Sequence, residues 1–171
     1  MEAHLVSIIT PSFNSEKFIS DTIQSVKNQT YQNWEMIIVD DCSTDKTVSI
    51  IEEFLRDNRI QLHRLDKNSG TGIARNTAIS IAKGRYIAFL DSDDLWKPDK
   101  LQKQVEFMVS KNQPFTFSYY ECIDEEGKAL GKMIQAPKIL TYRQLFWSNW
   151  VGNLTGIYDA NFFGKITDVA K

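Results

Sequence analysis

Gly84-Arg85-Tyr86-Ile87-Ala88-Phe89-Leu90-Asp91-Ser92-Asp93-Asp94 decides the fold, because an unbroken apolar run there ends abruptly in three carboxylates within four residues. Tyr86 to Leu90 lack the apolar/polar alternation of a half-exposed strand. Both faces must therefore be covered, as in a parallel sheet flanked by helices. Ligands of such sheets gather at the carboxyl ends of the strands. Asp91 and Asp93, one residue apart, can present two hard oxygen ligands to Mg²⁺ or Mn²⁺, and such an ion usually completes its shell with phosphate oxygens and water. The bland alternative is that Ser92, Asp93 and Asp94 merely cap the helix that Pro98 opens.

Outward from this stretch the same pattern recurs. Leu5 to Thr10 is a β-branched run stopped by Pro11, and Ser12 to Ser15 reads as the loop after a first strand. Ile19, Ile23 and Val26 then repeat at helical spacing. Trp34 to Val39 is a second apolar run that ends in acid, Asp40-Asp41, before a capping cluster and a helical stripe of Val48, Ile51 and Leu55. Ile60 to Leu65 reads as a shorter, less central strand. Ala74, Ala78, Ile81 and Ala82 form a small-residue stripe ended by Gly84, and Leu101, Val105 and Met108 face inward on the helix after Pro98. Four β-α units in succession argue for an α/β fold with a parallel, doubly wound sheet and right-handed crossovers.

After Gln113 the rhythm is lost. Phe115, Phe117 and Tyr119 alternate as one further strand, Asp124-Glu125-Glu126-Gly127 reads as a hairpin turn before Lys128 to Ile134, and Leu154 to Tyr158 reads as a strand. Between them Tyr142, Phe146, Trp147 and Trp150 crowd a helix and loop; they either line an acceptor groove or plug the core, and packing is the commoner use of aromatics. With 171 residues, 42% of them hydrophobic, and no repeat or linker, one compact domain is expected.

Twenty basic residues against 22 acidic ones give a formal charge of −2, and no basic stripe is visible, so capture of nucleic acid is not indicated. Cys42 and Cys122 are far apart, His4 and His63 are isolated, and structural zinc is not expected. The N-terminus reaches its first strand with no basic-then-apolar leader, and no run of 18 apolar residues occurs. The expectation is a reducing cytoplasm.

Two familiar nucleotide loops are excluded. Gly70-Thr71-Gly72-Ile73-Ala74-Arg75 starts like a dinucleotide fingerprint, but Arg75 stands in place of the third glycine and the motif follows the third strand. No Gly-x-x-x-x-Gly-Lys-Ser/Thr occurs. What remains is a nucleotide site built from the Pro11 to Asn14 turn, the Asp40-Asp41 pair and the Asp91/Asp93 pair. Asp41 can accept the imino hydrogen of a pyrimidine base while Phe13 stacks on it. Arg75, near a helix start, can clamp a diphosphate; a surface salt bridge is nearly as good a reading. Lys67 and Lys97 read as solvated charges.

Val6-Ser7-Ile8-Ile9-Thr10-Pro11-Ser12-Phe13-Asn14, Ile38-Val39-Asp40-Asp41-Cys42-Ser43-Thr44-Asp45, Asn68-x-Gly70-x-x-x-Ala74-Arg75-Asn76 and Asp91-Ser92-Asp93-Asp94 resemble, in that order, the motifs of family 2 glycosyltransferases of the GT-A fold. The resemblance runs from Leu5 to about Met108. More loosely it reaches Asp159, with a bacterial surface-polysaccharide branch of the family. It implies a three-layer α/β/α domain with a mostly parallel sheet, a nucleotide-sugar donor that is most often UDP-linked, a divalent metal, Mg²⁺ or Mn²⁺, and transfer with inversion to a glycan or lipid-linked acceptor. It also implies roles: Pro11, Phe13, Asn14, Asp40, Asp41, Asn68, Arg75, Asp91 and Ser92 at the donor, and Asp93 with Asp91 at the metal, Asp93 the direct ligand. Residues 1–112 would then hold the donor, residues 113–171 would begin the acceptor side, and a lipid-linked acceptor would set the work at the inner face of the cell membrane.

Two departures from the pattern stand out. Cys42 occupies a position where the family commonly has glycine, which strains the turn if it needs positive φ. The larger departure is the base: inverting transfer needs a group to take the acceptor hydroxyl's proton, the family uses an Asp in an Xaa-Glu/Gln-Asp motif, and no such motif follows Tyr158. Asp159 and Asp168 are the only later carboxylates, so the expectation is a base beyond Lys171. The rival readings are a nucleotide-sugar sensor that performs no transfer, and a nucleotidyltransferase, which would typically carry a glycine-rich basic loop after the first strand.

Overall fold

Every residue of β1 (Val6–Ser12) and β2 (Trp34–Asp40) is buried, as an apolar run without alternation requires of a strand covered on both faces. The computed structural model describes residues 4–137, 139–141, 143 and 151–167. Around the two strands lie α1 (Ile19–Lys27), α2 (Thr47–Phe54), β3 (Ile60–Arg64), α3 (Thr71–Ile81), β4 (Tyr86–Phe89) and α4 (Lys100–Lys111). β5 (Phe115–Thr116), β6 (Tyr120–Ile123), β7 (Ala129–Ile134), a 3-10 turn at Asn153–Thr155, β8 (Ile157–Asp159) and a helical turn at Ala160–Phe163 complete the described elements.

The main sheet has the order β3-β2-β1-β4-β8-β5. The first four strands are parallel, whereas β8 pairs antiparallel with both β4 and β5. Chain order therefore reverses at β1, which lies between β2 and β4. Such a switch point leaves a crevice where the two following loops diverge. Two apolar layers sandwich the sheet. Ile19, Ile23 and Val26 of α1, Ile51 of α2 and Leu101, Val105 and Met108 of α4 pack on one face, and Ala74, Ala78 and Ile79 of α3 pack on the other.

Several details differ from the sequence reading. Pro11 does not stop the first strand. The strand runs on to Ser12 paired with β2 only, since β4 leaves β1 after Phe89 opposite Ile9. Ser12 O accepts from Asp41 N on the β2 side, so Pro11 points its missing N–H toward the β4 side, where no ladder partner remains. Gly84 does not cap α3, which ends at Ile81. It lies against β1, and a Cβ there would stand 2.6 Å from Ser7 N, while its own N–H donates to Ser7 Oγ. Of the single strand expected over Phe115 to Tyr119 only Phe115–Thr116 forms; Phe117 to Tyr119 lie in no strand, and β6 begins after them at Tyr120. Leu154 and Thr155 belong to the 3-10 turn, so only Ile157–Asp159 is strand. The aromatic cluster of Tyr142, Phe146, Trp147 and Trp150, and Asp168, lie outside the described residues.

A second stripe on α1 was not legible as such. Thr22 and Ser25, beside the apolar stripe, and Gln29, two residues past the helix end, recur at three and four residues and hold the loop that carries the acidic cluster. Thr22 Oγ1 lies 3.0 Å from the carbonyls of Ser92 and Asp94, Ser25 Oγ accepts from Trp96 N, and Gln29 bonds Lys97 O and Leu101 N. Side chains of α1 and of Gln29 thus satisfy the carbonyls of Ser92, Asp94 and Lys97 and the N–H of Trp96 in the post-β4 loop.

Candidate functional site

The crevice at the β1/β4 switch point opens into a cleft of about 330 Å³. Pro11, Ser12 and Phe13 form one wall, Asp41, Thr71 and Ala74 another, and Asp91, Ser92 and Asp93 the third. Strand ends from β1, β2 and β4 and the start of α3 thus converge on one space. Phe13 is 47% exposed, which leaves a face of its ring free for stacking.

Of the residues expected at the donor, Asn14 and Asp40 are turned to the loops instead. Asn14, at φ 47°, accepts from Thr44 N through Oδ1 and donates its own N–H to Ser43 Oγ. Asp40 is fully buried and accepts from Ser43 N and Oγ. The two together tie the β1–α1 loop to the β2–α2 loop. Asn68 is exposed and does not line the cleft. Asp41 does line it, although it is 3% exposed, and its two oxygens accept from Ser69 N at 2.6 Å and Gly70 N at 2.8 Å. A carboxylate offers about four lone-pair sites, so it can anchor this loop and still accept from a bound group. Cys42, next to it, sits at φ 66°, the left-handed region in which a Cβ is strained.

The acidic cluster is divided in its roles. The Asp91 carboxylate is held: Oδ1 accepts from Arg75 Nη2 at 3.2 Å and Asn153 Nδ2 at 3.1 Å, and Oδ2 lies 3.3 Å from the same Asn153 nitrogen. The Arg75 pair is thus neither a free phosphate clamp nor a surface bridge, since the Arg75 side chain is 18% exposed. Asp93 is exposed and accepts no hydrogen bond from the described residues. Asp94 has its pKa pushed up to about 6, by burial first and then by the charges of Asp93 and Asp91. Ser92 lies beneath them, its Oγ 2.6 Å from Ser15 Oγ.

This donor set suits a hard divalent ion that is not fully caged. Among the described residues no group of three or more His, Cys, Asp and Glu could by itself hold a metal. Asp93 with Asp91 supplies two oxygens, in keeping with Mg²⁺ or Mn²⁺ that takes its remaining ligands from phosphate and water.

Asp159 is remote from this site. It pairs with Tyr86 at the start of β4, five residues before Asp91, or roughly 16 Å along an extended strand. Its carboxylate binds Arg85 Nε and Nη2 and accepts from Asn161 N. It therefore has a structural partner and no access to the cleft. Among residues that line or brace the site, Ser15, Thr22, Thr71 and Asn153 escaped the sequence reading, whereas Ser12 lay within the Pro11 to Asn14 turn already assigned to the nucleotide. Thr71 opens α3; Asn153 carries no local signal.

The glycosyl transferase family 2 model matches residues 7–165. TuaG of Bacillus subtilis, assigned by name to teichuronic acid biosynthesis as a glycosyltransferase, is 48% identical over 163 residues, which are 95% of this chain and 65% of that protein. WfgD of Escherichia coli, named as a UDP-Glc:alpha-D-GlcNAc-diphosphoundecaprenol beta-1,3-glucosyltransferase, is 44% identical over 159 residues, 93% of this chain and 62% of that one. This chain thus spans a little under two thirds of the length of these relatives. Among solved structures, residues 1–349 of S. aureus TarS in complex with UDP superpose with a TM-score of 0.62 at 34% identity, over 64% of this chain and 33% of that one. The mannosyltransferase PcManGT of Pyrobaculum calidifontis, solved with GDP-Man and Mn²⁺, gives 0.65 at 19% identity over 94% of this chain and 46% of its own, a likeness of fold.

Proposed function

Since the chain belongs to glycosyl transferase family 2 and has the GT-A fold, we propose that it binds a UDP-sugar and serves its transfer, with inversion, to a glycan or lipid-linked acceptor. The observation that carries this reading is the convergence of Phe13, Asp41, Asp91 and Asp93 on one cleft at the β1/β4 switch point. Phe13 stacks on the base, Asp41 accepts its imino hydrogen, and Pro11 and Ser12 leave the backbone close to the nucleoside. A Mg²⁺ or Mn²⁺ ion held by Asp93 and Asp91 supplies charge neutralisation for the leaving diphosphate. The relatives support the nucleotide and the acceptor class, one being solved with UDP and another named for a UDP-Glc donor and a diphosphoundecaprenol acceptor.

Residues 1–112 form the donor side in this reading and residues 113–171 begin the acceptor side. Asp159 is not the base that takes the acceptor proton in this reading, because it pairs with Arg85 at the start of β4, remote from the cleft. No helix among the described residues is long and apolar enough to cross a membrane; a lipid-linked acceptor would bring the protein to the cytoplasmic face of one.

Titration calorimetry with UDP, CDP and GDP, each with and without Mn²⁺, tests the reading. UDP is expected to bind best and to tighten with the ion, and Asp93→Ala should abolish the tightening while leaving metal-free UDP binding in place. Equal affinity for all three nucleotides, or no heat with any, would remove it.

A further inference from the structure

We propose that Asn153 is a positioning residue for the metal site, one that orients the Asp91 carboxylate from the turn that precedes β8. The inference rests on the metal-assisted reading above and extends it to a residue that no strand-end motif contains.

The first argument is the number of donors. The Asp91 side chain keeps 34% exposure, so water alone could solvate it. It nevertheless receives Arg75 Nη2 on Oδ1 and the Asn153 amide against both oxygens. Burial does not require this, whereas orientation does: a ligating carboxylate must be fixed for its remaining lone pairs to point at one place, and partners of this outer kind typically alter metal affinity about 10–100-fold. With Oδ1 occupied twice, the open lone pairs of Asp91 lie on Oδ2, the oxygen with the longer contact.

Rigidity of the Asn153 support is the second argument. Asn153 begins the 3-10 turn, and that turn is gripped from α4 and the post-β4 loop: Leu154 O accepts from Trp96 Nε1 and Thr155 O from Gln104 Nε2, both at 3.0 Å. Thr155 Oγ1 closes the turn onto Gly152 O. Gly152 permits the approach, since a Cβ there would meet the Tyr120 ring at 2.8 Å. An amide delivered from so constrained a turn loses little entropy when it holds its partner.

Location is the third. Arg75 comes from the helix that opens the donor side and Asn153 from the turn that leads into the antiparallel strand β8. They meet at Asp91, and both line a second cavity of about 320 Å³ behind it, with Phe89, Phe115 and Tyr158. The Arg75–Asp91–Asn153 cluster is thus the partition between two spaces. A change in the turn is felt at the metal ligand directly.

The experiment follows free Mn²⁺ by electron paramagnetic resonance during titration of wild type, Asn153→Ala and Asn153→Leu, with and without UDP, beside UDP titrations in EDTA. Asn153→Leu keeps the volume and removes only the donor, which guards against a cavity effect. Both variants should bind Mn²⁺ about tenfold or more weakly in the presence of UDP, with UDP affinity in EDTA within about twofold of wild type. Wild-type Mn²⁺ affinity in both variants would overturn the proposal, and so would equal losses of metal and metal-free UDP binding, which mark a merely structural role. A wild type that shows no coupling of Mn²⁺ to UDP overturns the metal reading itself, a different result from a coupling that the variants retain.

Discussion

Replacing Asp41 by Asn tests the structure and the proposed base reading with one change. The carboxylate accepts from two backbone N–H groups, Ser69 at 2.6 Å and Gly70 at 2.8 Å, at a residue only 3% exposed. An asparagine retains one acceptor oxygen and turns an N–H₂ group toward the second backbone donor. Hydrogen bonds to charged groups contribute about 1.5–3 kcal/mol each, so loss of one and a donor–donor contact should cost about 2–4 kcal/mol. In a chain of this size that lowers the melting temperature by roughly 4–16 °C. The same change acts on ligand choice. A carboxylate favours uracil, which offers an N–H, over cytosine, which offers a ring acceptor at that position, by about 2 kcal/mol or roughly 30-fold. The amide can serve either base and should reduce the UDP preference to a few-fold. Differential scanning fluorimetry reads the first effect and titration calorimetry with UDP and CDP the second. An unchanged melting temperature would refute the loop-anchoring argument, and an unchanged UDP/CDP ratio would move base recognition to another residue.

Three further outcomes are expected. Asp159→Asn should leave UDP affinity within twofold of wild type yet lower the melting temperature, because it weakens the Arg85 pair at the opposite edge of the sheet; a large loss of UDP binding would contradict the distance argument. Cys42→Gly relieves the φ of 66° and should gain up to about 1 kcal/mol, the 1–2 kcal/mol of left-handed strain less the extra freedom of an unfolded glycine; a lower melting temperature would show that the thiol's packing outweighs the strain. Because the Asp94 pKa is raised in the folded chain, from 3.8 to about 6, the folded state binds more protons than the unfolded one across that interval, and stability should fall as pH rises through it. Asp94→Asn should flatten that fall in melting curves taken from pH 4 to 7, and an identical slope in the variant would assign the effect elsewhere.

The amino-acid sequence alone determined the sheet, because its signal is local. Runs such as Ile8-Ile9 and Met36-Ile37-Ile38-Val39 without alternation require cover on both faces, and helical stripes between them supply it. It also determined that acid stands at strand ends, since Asp40-Asp41 follow Met36 to Val39 and Asp91 follows Tyr86 to Leu90, and parallel strands deliver their ends to one edge. Which side chains face the cleft was decided only in three dimensions. Asn14 and Asp40 lie in the same motifs as Phe13 and Asp41, yet Asp40 accepts from Ser43 three residues on, and Asn14 bonds Ser43 and Thr44 some 30 residues away, a loop-to-loop contact that leaves no periodicity to read. The antiparallel insertion of β8 beside β4 is likewise tertiary. It carries Asp159 to the remote edge and brings the Asn153 amide within 3.1 Å of Asp91 across 62 residues of chain, a pairing fixed by strand order and direction rather than by any residue's neighbours in sequence.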